Sequence, residues 1–184
     1  QKQDIYKMNS KRIGNNYERV ISRKLSLWLT HNQSDDVVWR DIGSGNKATI
    51  RKKQNKESIW QGDIVPIDLQ YKYFFDVFAI DTKSYKEINW LFINNKNNKS
   101  NTILQQWIKV VNDTKGKVPL MIVQIRDRKT PETIFMPSNI ILNDSLNFLQ
   151  YIFAETKKYN CKVFILEDFL NLISPEEFVN LNKF

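Results

Sequence analysis

The spacing of apolar positions changes several times along the chain, and each change marks an element. From Asn15, the residues Tyr17, Val20, Ile21, Leu25 and Trp28 recur at intervals of three and four, which predicts an amphipathic helix ending near His31. The residues before it, Gln1 to Arg12, are polar and basic and read as a frayed arm. Val37 to Ile42 predicts a short strand. Between Gln61 and Lys86 lie two apolar, strand-like segments joined by a turn, the second running through Tyr73-Phe74-Phe75 and Val77 to Ile80 straight into Asp81. Pro66, early in the first segment, points to an edge position or a bulge. Asp68 falls near the expected turn, and Asp76, five residues before Asp81, faces the opposite side of a regular strand.

The second half reads as follows. Asn94 to Asn101 is a polar loop, and Thr102 to Lys115 a helix with Ile103, Leu104, Trp107, Ile108 and Val111 as its buried stripe and Gly116 closing it. Val118 to Ile125 is continuously apolar, as in a strand buried on both faces, so the preceding helix becomes a β-α-β crossover. After a charged turn, Arg126 to Pro131, Thr133 to Met136 reads as a strand, Ser145 to Lys158 as a helix and Val163 to Leu166 as a strand or buried run. Two short helices close the chain, Glu167 to Ile173 and Pro175 to Leu181, the latter opened by Ser174-Pro175-Glu176-Glu177. The pattern is α/β, a mixed central β-sheet flanked by helices, with neither a repeat nor an interdomain linker, and it predicts one domain over residues 1–184. The last forty residues read as a lid on the core or a dimer contact.

Composition narrows the partners. At 184 residues the chain can bury a sizeable core, and 41% hydrophobic with 12% aromatic residues argues for a folded globule rather than disorder. A formal net charge of +8 implies an anionic partner, nucleic acid first among them, or else lysines that only solubilise the chain. A lone cysteine, Cys161, excludes an internal disulfide and argues against a cysteine-based zinc site. His31, the sole histidine, has no second histidine to join in a metal or nucleophilic site and reads as a helix cap. No apolar run reaches the ~20 residues that span a bilayer, and the polar N-terminus lacks a signal-peptide core, so the expectation is an intracellular protein without a membrane partner. Gln at position 1 suggests that an initiating Met or a longer leader precedes it.

The candidate chemistry sits at the hairpin. Asp81 and Lys83 are one residue apart and share a face on an extended chain, and pairing of the two segments brings Asp63 close to Asp81. Two carboxylates and an ammonium there are costly to desolvate unless they hold a cation or work on a substrate. Upstream, Gly43-Ser44-Gly45 leads into a stretch too polar to pack, with Lys47, Arg51, Lys52, Lys53 and Lys56 against Glu57 alone. Glycines let the main chain approach an anion and clustered cations suit phosphate; the alternative is a flexible loop that only keeps the chain soluble.

Gly62-Asp63 followed by Asp81-Thr82-Lys83 resembles the signature of the PD-(D/E)xK nuclease superfamily, although glycine rather than proline precedes the first aspartate. The strand with Arg40, the Gly-Ser-Gly turn and the later Gly-Asp are similar to archaeal-type Holliday junction resolvases and related phage nucleases. The resemblance covers about residues 12 to 125 and implies a restriction-endonuclease-like fold. It implies that Asp63, Asp81 and the Thr82 carbonyl bind Mg²⁺ or Mn²⁺, and that Lys83 positions or activates the attacking water. A glutamate on the first helix often reaches the metal in that superfamily; Glu18 matches the placement or pairs with a neighbouring cation, and proximity to Asp63 separates the two. A glutamine on the following helix also lies near the site in such nucleases, with Gln106 matching better than Gln105, and both are equally good surface helix formers.

The expected function is then a metal-dependent DNA endonuclease, structure-selective for Holliday junctions or other branched DNA in recombination or repair. The alternatives are a restriction-type duplex endonuclease, a non-catalytic nucleic-acid-binding module on the same fold, or an α/β partner-binding protein with a salt-bridged Asp81–Lys83 surface. Arg40, Ser44, Lys47, Arg51, Lys52, Lys53, Lys56, Lys86 and Gln105 are the expected DNA contacts. A resolvase that cuts two strands symmetrically implies a two-fold homodimer.

Overall fold

The computed structural model describes residues 2–41, 61–87, 102–126, 129–142, 153–156 and 160–182. Helix α1 spans Lys2–Leu29, followed by strands β1 (Val38–Arg40) and β2 (Ile64–Pro66), a 3-10 turn at Leu69–Tyr71, helix α2 (Lys72–Val77) and strand β3 (Phe78–Tyr85). Then come α3 (Thr102–Asp113), β4 (Val118–Ile125), β5 (Thr133–Pro137), β6 (Phe153–Thr156), β7 (Cys161–Ile165), α4 (Leu166–Leu172) and α5 (Pro175–Asn182). The strands form one mixed sheet of order β1-β2-β3-β4-β5-β7-β6. β3 and β4 are parallel and linked through α3, as a β-α-β unit requires, and the other pairings are antiparallel. The α/β, restriction-endonuclease-like architecture expected from the sequence is therefore the one observed.

Each face of the sheet carries its own core. On one side α1 brings Tyr17, Ile21, Leu25, Trp28 and Leu29 against Val38, Ile64, Ile80, Leu120, Ile122 and Ile134. Ser22 and Ser26, fully buried on α1, are small enough to let the helix lie close to the strands. The closing helices add Phe169 and Phe178 to this side, Phe178 stacking on Phe78 with ring centroids 4.5 Å apart. On the other side α3 packs Ile103, Leu104, Trp107 and Val110 against Met121, Val123, Phe135 and Val163.

Several local expectations are corrected. The basic arm belongs to α1, which begins at Lys2 rather than Asn15. The aromatic run at Tyr73-Phe74-Phe75 is helical, not extended: Phe74, Phe75 and Phe78 bury themselves by turning, and the Asp68 carboxylate accepts from the Gln70 N–H to start the turn. Asp76 consequently lies exposed on α2 and pairs with Lys72 one turn earlier. Pro66 sits in a strand flanked on both sides, tolerated because β2 meets β3 only at Ile64, with Ile80. On α3 the buried stripe is Ile103, Leu104, Trp107 and Val110, while Ile108 and Val111 are exposed. The helix expected from Ser145 to Lys158 is contradicted at Phe153–Thr156, which pairs as a strand with β7; the rest of it lies outside the described residues.

Candidate active site

Asp63, Asp81 and Lys83 meet where the end of β1 and the start of β2 lie against the middle of β3. In register, Arg40 pairs with Ile64 and Ile64 with Ile80, so Asp41, Asp63 and Asp81 follow one another across the three strands. Ile64 and Ile80 face the α1 core, and Tyr85 packs against the α3 core. Alternation along the strands therefore turns Asp63, Asp81 and Lys83 to the α3 side.

The backbone of Asp63 is held from two directions. Its N–H donates to the Ile80 carbonyl at 2.7 Å, and its carbonyl accepts from the Asp41 N–H at 2.7 Å. Its Oδ2 accepts from the Thr82 N–H at 2.9 Å. Gly62 makes this approach possible: its φ is +96°, and a Cβ there would stand 2.4 Å from the Ile80 carbonyl oxygen. Proline, with φ fixed near −65°, has no access to that conformation, which explains the glycine in front of the first acid. Gln61 anchors the same turn, donating from Nε2 to the Lys115 carbonyl at 3.0 Å and accepting the Lys115 N–H on Oε1 at 3.0 Å.

Three oxygen donors converge on one positive centre. Lys83 Nζ donates to Asp81 Oδ1 at 2.8 Å and to the Thr82 carbonyl at 3.1 Å, and stands 3.5 Å from Asp63 Oδ2. Burial lifts the Asp81 carboxyl above the usual carboxylate range, helped by the charge of Asp63 and a hydrogen bond between the two carboxyls; the lysine only partly offsets this. For Lys83, burial works against the charge, but the two carboxylates outweigh it and push its pKa up. The arrangement suits a small hard cation: the donors are all oxygen, and an ammonium already stands within reach of each.

The remaining expected site residues fall elsewhere. Glu18 is not gathered with the aspartates; its Oε2 lies 3.2 Å from Arg40 Nη1, in an ion pair whose side chains are 19% and 16% exposed. Among the described residues no group of three or more His, Cys, Asp or Glu side chains is placed to hold an ion. Arg40 is thereby engaged within the protein. Gln106 is partly buried on α3, Gln105 is exposed beside it, and Lys86 is exposed just after β3. Ser44, Lys47, Arg51, Lys52, Lys53 and Lys56 lie outside the described residues. His31 lies 3.3 Å from Glu176 at the far end of α1, by a cavity of about 760 Å³ lined also by Trp28, Leu166 and Leu170 and by none of the Asp63–Asp81–Lys83 group. No described helix is long and apolar enough to cross a membrane.

Two supports of the site escaped the sequence reading. Gln61 answers a residue 54 positions away, so no local signal marks it. Asp41 could have been found from its place after a short strand, opposite the Gly-Asp pair.

No curated protein and no solved structure matches the chain. Residues 9–180 match the family described as "Phage putative PDDEXK endonuclease". That match takes in both cores and the strand ends that carry Asp63, Asp81 and Lys83, and by it the chain belongs to this phage family of the PD-(D/E)xK nuclease superfamily.

Proposed function

We propose that the protein is a Mg²⁺- or Mn²⁺-dependent DNA endonuclease that hydrolyses phosphodiester bonds, with Holliday junctions or other branched DNA as its preferred substrate. The observation that carries the reading is the convergence of Asp63 Oδ2, Asp81 Oδ1 and the Thr82 carbonyl around one cationic nitrogen. These three groups would hold the metal, which supplies Lewis acidity and a water acidified for attack. Lys83, on the strand that carries Asp81 and Thr82, would orient that water by hydrogen bonding and offset charge growing on the phosphate. Gln106, partly buried on the helix that packs on this side of the sheet, would hydrogen-bond near the site. Lys47, Arg51, Lys52, Lys53 and Lys56, in the segment between β1 and β2, supply sequence-independent phosphate contacts. The junction preference rests on the order of Arg40, Gly-Ser-Gly and Gly-Asp along the chain, which resembles that of archaeal-type junction resolvases.

The test is nicking of supercoiled plasmid and of a four-way junction with Mg²⁺. Asp81→Asn should lower the rate by roughly 10³-fold or more while DNA affinity in EDTA stays within about twofold. Equal activity in the variant removes the enzymatic reading and leaves a binding module. Equal cutting of linear duplex and junction removes the junction preference alone.

A further inference from the structure

We propose that Glu18 and Arg40 act as a positioning pair for the metal site, setting the place of Asp63 from the opposite face of the sheet, with neither contacting the metal. The inference rests on the metal-site reading above. Arg40 and Ile64 are paired, and Ile64 faces the α1 core, so Arg40 turns to the α1 side, where Glu18 meets it. Asp63 and Asp81, at the alternate positions, turn to the other side.

A strand of three residues has little pairing of its own, and among the described residues β1 pairs in the sheet with β2 alone. It is fixed instead to α1 at two points. Ser26 Oγ accepts the Val38 N–H at 3.1 Å, and Glu18 takes the Arg40 guanidinium at 3.2 Å. Glu18 and Ser26 are eight residues apart on the helix, and Val38 and Arg40 two apart on the strand, so each pair shares one face of its element. The residue after Arg40 is Asp41, whose N–H holds the Asp63 carbonyl at 2.7 Å. The chain of contacts thus runs from Glu18 to Arg40, through one peptide to Asp41, and on to the backbone of a ligand.

The charges are largely shielded from water, so removing one leaves the other without compensation and frees the end of β1. Loss of such an outer support typically weakens metal affinity 10–100-fold (about tenfold is expected here). A direct ligand behaves otherwise: removing Arg40 would leave it in place, and moving the carboxylate to position 40 would abolish it.

The experiment is titration of the full chain with Mn²⁺ alone, following free Mn²⁺ by electron paramagnetic resonance, with the thermal midpoint of each variant recorded in EDTA. Glu18→Gln and Arg40→Gln should each weaken Mn²⁺ binding about tenfold, the double variant no further, and the charge exchange Glu18→Arg with Arg40→Glu should restore most of it. If Glu18→Gln alone weakens binding and the exchange does not restore it, Glu18 is a ligand and the proposal fails. If the variants lower the thermal midpoint but leave Mn²⁺ affinity unchanged, the pair only stabilises the fold and the proposal fails too. Failure of the underlying reading looks different: the wild-type chain would bind no Mn²⁺ that Asp81→Asn abolishes.

Discussion

Strands β3 and β4 run side by side for eight register pairs and β5 and β7 for five, whereas β1 and β2 share three and β2 meets β3 at one, Ile64 with Ile80. Met121, Phe135 and their neighbours are sealed between two helical layers. Asp63 stands at the other end, where pairing is thin and order comes from its individual hydrogen bonds with Ile80, Asp41 and Thr82, while Asp81 lies on the boundary, on β3 opposite Met121. One half of the sheet is sealed on both faces, whereas β1 and β2 bury one face, Val38 and Ile64, under α1 and depend for the rest on a few individual contacts. The difference teaches where damage should register: in stability for the first, in the site for the second.

Phe135→Ala gives the largest expected stability effect. Phe135 is fully buried on β5 beside Trp107, with ring centroids 6.3 Å apart, and its truncation should cost ~3–5 kcal/mol in urea unfolding. Mn²⁺ affinity measured well below the unfolding transition should stay within about twofold. A large loss of affinity would show that the halves are not separable.

Gly62→Ala presses on the other half. A Cβ at 2.4 Å from the Ile80 carbonyl, on a residue with φ of +96°, forces the turn to shift, at a cost of about 1–3 kcal/mol. Here the order of effects should reverse, with Mn²⁺ binding and nicking lost while the protein stays folded at 25 °C. Retained metal affinity would break the link between this turn and the placement of Asp63.

The smallest effect is a dependence on pH. Burial and Asp63 raise the Asp81 carboxyl, so above its ordinary value of 3.8 the folded chain keeps a proton that the unfolded chain has released. Stability should therefore fall as pH rises from 3.8 through the raised pKa. Thermal midpoints across that window in EDTA should show the decline in the wild type, and Asp81→Asn should flatten it. An unchanged slope in the variant would place its origin in another group.

The chain's patterning disclosed the two ends of this comparison unequally. Val118 to Ile125 could be read as a doubly buried strand because continuous apolarity over eight residues leaves few other solutions. Tyr73 to Val77 could not, since a short apolar run is compatible with either period, and α2 was settled by where Phe74, Phe75 and Phe78 could be buried. Asp63 and Asp81 could still be brought together on paper, because their register depends on Ile64 and Ile80 and not on what lies between. The reason for Gly62 was hidden because it is a contact with Ile80. The partner of Glu18 was left open because α1 carries charges of both signs, and only the position of β1 selects Arg40.

Lys83 carries one last implication, for how such a protein is made. Two acids crowded together would ordinarily resist assembly until an ion arrived, yet here a built-in ammonium offsets part of their repulsion. On the proposed metal-dependent reading, a polypeptide made under magnesium starvation should reach its final shape and wait, and a chelator should silence it without unravelling it.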